Sequence, residues 1–267
     1  MMMDILSERT INVFPDFLIK IIINLKSKKL YYKPSGYSFE FARNISRYFR
    51  NINYIYESDD VGEYIVNKYL ENINRIKVNG SLKFEVIFED EKKIYTSFSL
   101  ENNYREFIKE DLFKNSAINV IYRITYFEDS RNLLKELDIV SEGKKYISLI
   151  NDSSEGILKL IDLFEKGYID YLSLTSREFD ILCSYYDIVN VNPMISVKDL
   201  FANLNIEKIF LLDSSYFLIY PGYKICKLKK EINLLDKKAL FDSAIVLSIL
   251  KNMSYETTCS LVYRYLQ

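Results

Sequence analysis

Histidine is absent from the 267 residues, so proton transfer in this protein must run through Asp, Glu, Lys, Tyr or Cys. That removes serine and cysteine triads with an imidazole base, His-ligated metal sites and imidazole pH switches. The carboxylates with the most suggestive setting are Asp236 and Asp242, which bracket Lys237-Lys238-Ala239-Leu240-Phe241 at the entrance to an apolar helix read over 239–251. A carboxylate there can act as a general base where a proton to be removed comes within hydrogen-bond reach. The helix dipole stabilises charge at a helix start with or without catalysis, so the position alone does not make Asp242 a base. Thr175-Ser176-Arg177-Glu178 fits a capping box, which accounts for Thr175 and Glu178 without any metal.

Cys183, Cys226 and Cys259 are an odd number, lie far apart and form no C-x-x-C pair, so they read as reduced thiols of a cytoplasmic protein. A net charge of -1 supplies no field for nucleic acid, and the basic runs 26–29 and 227–230 read as solvated surface or edge-strand protection. No nucleic-acid partner is expected. The first residues lack a basic segment followed by an apolar run, and apolar runs such as Ile21–Ile23 are too short to span a bilayer, so no membrane partner is expected either. With 49% of residues apolar the chain can bury a sizeable core, and most of the 23 tyrosines read as packing residues.

The elements that must position these residues follow from periodicity. Short strands are read at 10–14, 19–25 and 53–56, and helices along Phe41, Ile45, Tyr48, Phe49 and Ile52 and along Val61, Ile65, Tyr69 and Ile73 behind Asp59 as N-cap. Phe84, Val86 and Phe88, then Ile94, Thr96 and Phe98, alternate on either side of the charged turn 90–93 as a β-hairpin. Strands at 118–122, 146–150, 168–172 and 209–212 then alternate with helices at 133–137, 157–164 and 197–204, the last capped by Ser196. The helix 239–251 and a final one at 255–266 behind Ser254 close the chain. Strand and helix in turn predict an α/β domain with a mostly parallel central sheet.

The order of these elements and several local patterns resemble the ribokinase (PfkB) family of sugar and nucleoside kinases over nearly the whole chain. The family's G-G-x-x-x-N-x-A is similar to Ser35-Gly36-Tyr37-Ser38-Phe39-Glu40-Phe41-Ala42, with Gly36 and Ala42 kept and Glu40 in place of the Asn. G-x-D-x-x-G is similar to Glu57-Ser58-Asp59-Asp60-Val61-Gly62, with Asp59 and Gly62 kept. N-x-x-E matches Thr175-Ser176-Arg177-Glu178 at Glu178, and T-x-G-x-x-G falls on Leu211-Leu212-Asp213-Ser214-Ser215-Tyr216 with neither glycine kept. D-T-x-G-A-G-D resembles Asp236-Lys237-Lys238-Ala239-Leu240-Phe241-Asp242, with both outer aspartates in register.

The resemblance implies one ribokinase-like domain over 1–267, a three-layer sandwich with a small β lid drawn from about 19–33 and 83–100. It implies Asp242 as the base, Asp236, Ala239, Leu240, Phe241 and Asp213 beside ATP, and Glu178 organising magnesium. It places Gly36, Glu40 and Lys20 against a sugar or nucleoside-like ligand, Lys20 standing where the family has a hydroxyl-binding aspartate near the end of strand one, and it suggests pairing of two chains through the lid. Ala239-Leu240-Phe241 in place of the G-A-G turn sets two bulky side chains where a phosphate should rest and bars backbone that needs φ > 0, so the anion hole is expected to be filled or misshapen; losing even one of its donors costs on the order of 10²–10³ in rate. Two expectations follow: a divergent homologue with impaired or lost phosphotransferase activity that binds a small molecule or a protein, or an active ATP- and Mg-dependent kinase. An open pocket beside Ala239 favours the enzyme; Phe241 plugging it favours the pseudokinase.

Overall fold

Parallel strands need crossovers long enough to carry a helix, and the alternation in this sequence supplies them. The computed structural model describes residues 9–89, 93–96, 100, 103–108, 110–189, 191–222 and 225–267. Most of the turn read at 90–93, and Phe98, lie outside these. Among the described residues the strands form two sheets, one of nine strands and one of four.

In the large sheet β1 (Thr10–Phe14), β4 (Ile52–Ser58), β5 (Asn74–Asn79), β8 (Ser116–Tyr122), β9 (Lys144–Ser148), β10 (Tyr171–Thr175) and β11 (Lys208–Leu212) run parallel. β12 (Tyr216–Tyr220) and β13 (Ile225–Lys227) add antiparallel, giving the order β13-β12-β11-β10-β9-β8-β1-β4-β5. The small sheet has the order β3-β2-β6-β7, from β2 (Leu18–Asn24), β3 (Lys29–Ser35), β6 (Lys83–Phe88) and β7 (Lys93–Thr96).

Helices cover both faces of the large sheet. Helices α1 (Tyr37–Ile45), α2 (Asp60–Tyr69), α9 (Leu234–Leu250) and α10 (Tyr255–Leu266) pack into one core, while α3 (Glu110–Phe113), α4 (Ser130–Val140), α5 (Ser154–Leu158), α6 (Ile161–Glu165), α7 (Ser176–Tyr185) and α8 (Pro193–Asn203) pack into the other. Each central strand feeds both layers: Ile118, Val120 and Tyr122 of β8 face the first core and Ile121 the second. Burial on both faces is why these strands read as nearly unbroken apolar runs.

A line of asparagines crosses the sheet where a purely apolar strand would leave register free. Asn74 donates to Asn53 (2.9 Å), Asn53 to Asn12 (2.8 Å), Asn12 to Asn119 (2.8 Å) and Asn119 to the Ser141 hydroxyl (2.8 Å). The backbone pairing puts Asn12 opposite both Asn53 and Asn119. Slipping β1 along its neighbours would strand buried amides, so the ladder fixes the alignment of four strands.

Several boundaries differ from the sequence expectation. Helix α9 begins at Leu234 behind Asn233 as N-cap, well before Ala239. Asn192, not Ser196, caps α8, and the Ser196 hydroxyl donates to the Asn192 carbonyl at 3.0 Å. Strand β10 starts at Tyr171, and the helix read at 157–164 divides into α5 and α6. Thr175 stands at the N-cap of α7, but its hydroxyl bonds the Glu178 carboxylate instead of a helix N–H, so the capping box does not form.

Candidate functional site

A cleft of about 510 Å³ opens between the small sheet and the N-terminal parts of α1 and α9. It brings together Lys20, Gly36, Glu40, Asp236, Ala239 and Leu240, which the sequence had singled out from distant segments. The cleft is open beside Ala239, and Phe241 does not plug it: that ring is fully buried and packs 6.1 Å from Phe217.

The wall at α1 is set by a residue the sequence reading passed over. Asp16 lies two residues past the end of β1, is fully buried, and accepts from the backbone N–H groups of Tyr37 (2.8 Å) and Ser38 (2.6 Å), so its carboxylate caps α1. Gly36 turns the chain into that helix with φ 118, and a Cβ there would sit 2.8 Å from the Asp16 carbonyl oxygen, which is why only glycine fits. Lys20 lies on β2 in the lid. The acidic residue at the end of strand one is therefore Asp16, and the placing of Lys20 there is corrected.

Arg123 forms the floor. Its backbone is left-handed (φ 53), its guanidinium lies 5.1 Å from the ring centres of both Tyr37 and Tyr126, and its Nε is 3.9 Å from Asp16. Around it the lining is charged with both signs. Lys20 pairs with Glu85 at 2.9 Å, and Arg43 with Glu40 at 2.5 Å. Burial holds the Glu40 carboxyl above the usual carboxylate range, with Arg43 pulling it back. Lys33 and Asp236, both exposed, have no side-chain ion pair or hydrogen bond among the described residues.

Asp242 lies outside this cleft, inside the protein. It is on the third turn of α9, fully buried, and its two oxygens take bonds from every side. Oδ1 accepts from Tyr146 (2.8 Å), Ser173 (2.6 Å) and Lys238 (2.7 Å); Oδ2 accepts from Tyr122 (2.9 Å), Ser148 (2.7 Å) and Lys238 (2.9 Å). The Lys238 ammonium also donates to Ser148 (2.7 Å) and Ser173 (2.6 Å), so each serine accepts from the lysine and donates to the aspartate. All six side chains are fully buried. A carboxylate offers about four lone-pair directions, and here they are used within the chain.

The phenols of this network give a pH dependence. Burial holds Tyr122 and Tyr146, and also Tyr54 under Asp16, well above the usual tyrosine value. In the unfolded chain each ionises near about pH 10, so their contribution is full below that pH and is lost as pH rises beyond it. The loss is about 1.4 kcal/mol per phenol per pH unit, about 4 kcal/mol per unit for three. Denaturant unfolding followed against pH should show this collapse above about pH 10, coincident with the tyrosinate absorbance. Tyrosinate absorbance equal to that of all 23 tyrosines while the protein stays folded would refute the burial of these phenols.

Against solved structures, the chain superposes on fructokinase from Xylella fastidiosa with bound ATP with a TM-score of 0.74 at 11% identity, over 97% of this chain and 90% of that one. It superposes on adenosine kinase from Sinorhizobium meliloti with a TM-score of 0.73 at 12% identity, over 96% and 92% of the two chains. The ribokinase of Thermotoga maritima gives 0.68 at 12% identity, over 94% and 89%. This chain has the ribokinase-like fold. No protein-family model matches its sequence. Among curated proteins it is 29% identical over 160 residues to the DNA ligase of Mycoplasmopsis pulmonis (strain UAB CTIP), an alignment covering 57% of this chain and 21% of the ligase. It thus spans about a fifth of that relative's length.

Within this ribokinase-like chain residues 239–241 do not form a phosphate nest. Because α9 already runs from Leu234, and Lys237 N–H bonds the Asn233 carbonyl at 3.1 Å, residues 239–241 lie in the helix interior with their N–H groups inside the helical ladder. No nest of free N–H groups exists at 239–241 to hold an anion. Asp213, at the turn between β11 and β12, accepts from the Ser215 N–H (3.0 Å) and hydroxyl (2.9 Å) and is a turn residue away from the cleft lining.

Magnesium fares no better at Glu178. This fully buried carboxylate accepts from the Asn151 N–H (3.0 Å), the Arg177 guanidinium (2.9 Å) and the Thr175 hydroxyl. Donors and a cation surround it, where a metal needs further oxygen ligands. Among the described residues no group of three or more acidic, cysteine or histidine side chains is placed to share a metal. The sequence reading also passed over Lys238, although its spacing of four residues before Asp242 is that of neighbours on one helix face.

Proposed function

We propose that this ribokinase-like chain binds a small polar ligand in the cleft under its β lid and has lost phosphoryl transfer. The observation that carries the proposal is the saturation of Asp242 by Lys238, two serines and two tyrosines in a fully buried network. A base must reach the hydroxyl it deprotonates, and this carboxylate faces the interior. The straight helix through 239–241 supports the same reading on the phosphate side.

The cleft favours a ligand of sugar or nucleoside-like size that carries charge. Lys33 and Asp236 offer unpaired charges of opposite sign, and the Lys20–Glu85 and Arg43–Glu40 pairs are partly exposed. One feature favours the alternative, an ATP- and Mg-dependent kinase of a sugar or nucleoside-like hydroxyl: the cleft stays open beside Ala239. Thermal melting with sugars, nucleosides and their phosphorylated and amino derivatives separates the two. A rise with a member of this panel, weakened by Lys33→Glu, and none with MgATP supports the binding protein; phosphate transferred from ATP to any of them, and abolished by Asp242→Asn, supports the kinase. Among the described residues no helix is long and apolar enough to cross a membrane.

The lid supports pairing of two copies. Register puts Ile21 opposite Tyr32 and Val86, Ile23 opposite Leu30, Ile19 opposite Phe84, and Val86 opposite Tyr95, so one face of the small sheet is apolar, while Lys20, Lys33 and Glu85 share the other. Leu30 is 64% exposed and Tyr32 75%. Ile19 and Ile21 of this face pack against the core, and its exposed end at Leu30 and Tyr32 calls for a cover. Light scattering on a sizing column should give a dimer mass, and Tyr32→Glu should give a monomer; a monomeric native chain would rule the pairing out.

A further inference from the structure

Away from the cleft, two of the three cysteines meet across the far edge of the large sheet. Cys226 on β13 and Cys259 on α10 place their sulfurs 2.9 Å apart, with the Tyr255 hydroxyl 3.7 Å from the Cys226 sulfur. Both are free thiols. Thiols in direct contact can bond once their side chains bring the sulfurs to the roughly 2.05 Å of a disulfide. Their distance in sequence, 33 residues, hides the contact.

The two sulfurs differ in access. Cys226 is half-buried on an edge strand, whereas Cys259 is 8% exposed among the packing residues of α10. Burial pushes the Cys259 thiol up to about 12, with the neighbouring Cys226 sulfur adding to the shift. Cys259 therefore stays protonated until a neighbour reacts. Between the two in sequence lie the segment leading into α9, whose Asp236 and Ala239 line the cleft, and the Lys238–Asp242 ion pair.

We propose that Cys226 and Cys259 are a redox modification site, closed to a disulfide by peroxide and reopened by thiols, that staples α10 to the edge strand β13. The half-buried Cys226 sulfur, the more accessible of the two, attacks hydrogen peroxide, the O–O bond breaks, and a sulfenic acid and one water result. The Cys259 sulfur then attacks the Cys226 sulfur; the S–S bond forms, the S–O bond breaks, and hydroxide leaves with the thiol proton as a second water. Two electrons pass from the thiols to the peroxide. A dithiol reductant reverses the step. The closed loop constrains the unfolded chain, so the oxidised protein is the more stable form.

The test uses the full chain treated with hydrogen peroxide, quenched by thiol alkylation in denaturant, and digested without reductant. The expected product is a linked pair of peptides carrying Cys226 and Cys259, with Cys183 alkylated. Melting of the oxidised protein should rise by about 5–10 °C and return after dithiothreitol. Cys226→Ser and Cys259→Ser should each melt like the reduced native protein and show neither the link nor the rise, so a fold defect in one variant leaves the other as control. Alkylation of all three cysteines after peroxide, Cys226 taken to sulfinic acid without a link, or links joining separate chains would each overturn the proposal. Its failure leaves the reading of the cleft intact, since no cleft residue takes part.

Discussion

Lys238→Met should lower folding stability by about 3–5 kcal/mol in urea unfolding, because it leaves the Asp242 charge buried without its counter-ion. The ammonium makes contacts of 2.6–2.9 Å to Asp242, Ser148 and Ser173, and methionine fills similar volume while making none of them. Burial lowers the Lys238 pKa while Asp242 opposes that shift, so the lysine depends on its partner as much as the reverse. Lys238→Met combined with Asp242→Leu should recover most of the loss, since apolar side chains of like volume often replace a buried pair at little cost. The double-mutant cycle then returns a large coupling energy. Near-additive, small losses would show that Asp242 is not held in the interior by Lys238.

Asp16→Ala should cost about 2–4 kcal/mol and abolish binding in the cleft. The substitution removes the acceptor for the Tyr37 and Ser38 N–H groups at 2.8 and 2.6 Å and withdraws a carboxylate held 3.9 Å from Arg123. Helix α1 is then free to shift, and with it Glu40 and Arg43 on the cleft wall. Asp16→Asn keeps one acceptor and should fall between. Unchanged ligand affinity in a folded Asp16→Ala protein would mean that the cleft wall does not depend on this cap.

The layering of the fold was legible because it is written in local periodicity. Mostly apolar runs such as Ile118–Tyr122 and Ile209–Leu212 read as buried strands when they alternate with helical patterns. The site was legible only in part. Gly36, Glu40, Lys20, Asp236, Ala239 and Leu240 were named from the sequence and do meet in one cleft. The interior position of Asp242 was not readable, because its partners Tyr122, Tyr146, Ser148 and Ser173 come from three strands that only the folded sheet brings under α9. Asp16 was missed because it lies in a turn next to the stronger strand pattern of Ile19–Ile23, which drew the end of strand one toward Lys20. The early start of α9 also had a signal, Asn233 ahead of Leu234-Leu235, and the eroded motif drew attention to Ala239 instead.

The central claim is that this ribokinase-like fold has given up nucleotide chemistry, and titration of MgATP against the melting temperature tests it most directly. A nucleotide bound at a hundredfold excess over its Kd would add about 2.7 kcal/mol, a rise of roughly 5–10 °C for a chain of this size. The structure predicts no rise at millimolar MgATP, because residues 239–241 present helix interior where a phosphate would need free N–H groups. A saturable, magnesium-dependent rise of several degrees would contradict it.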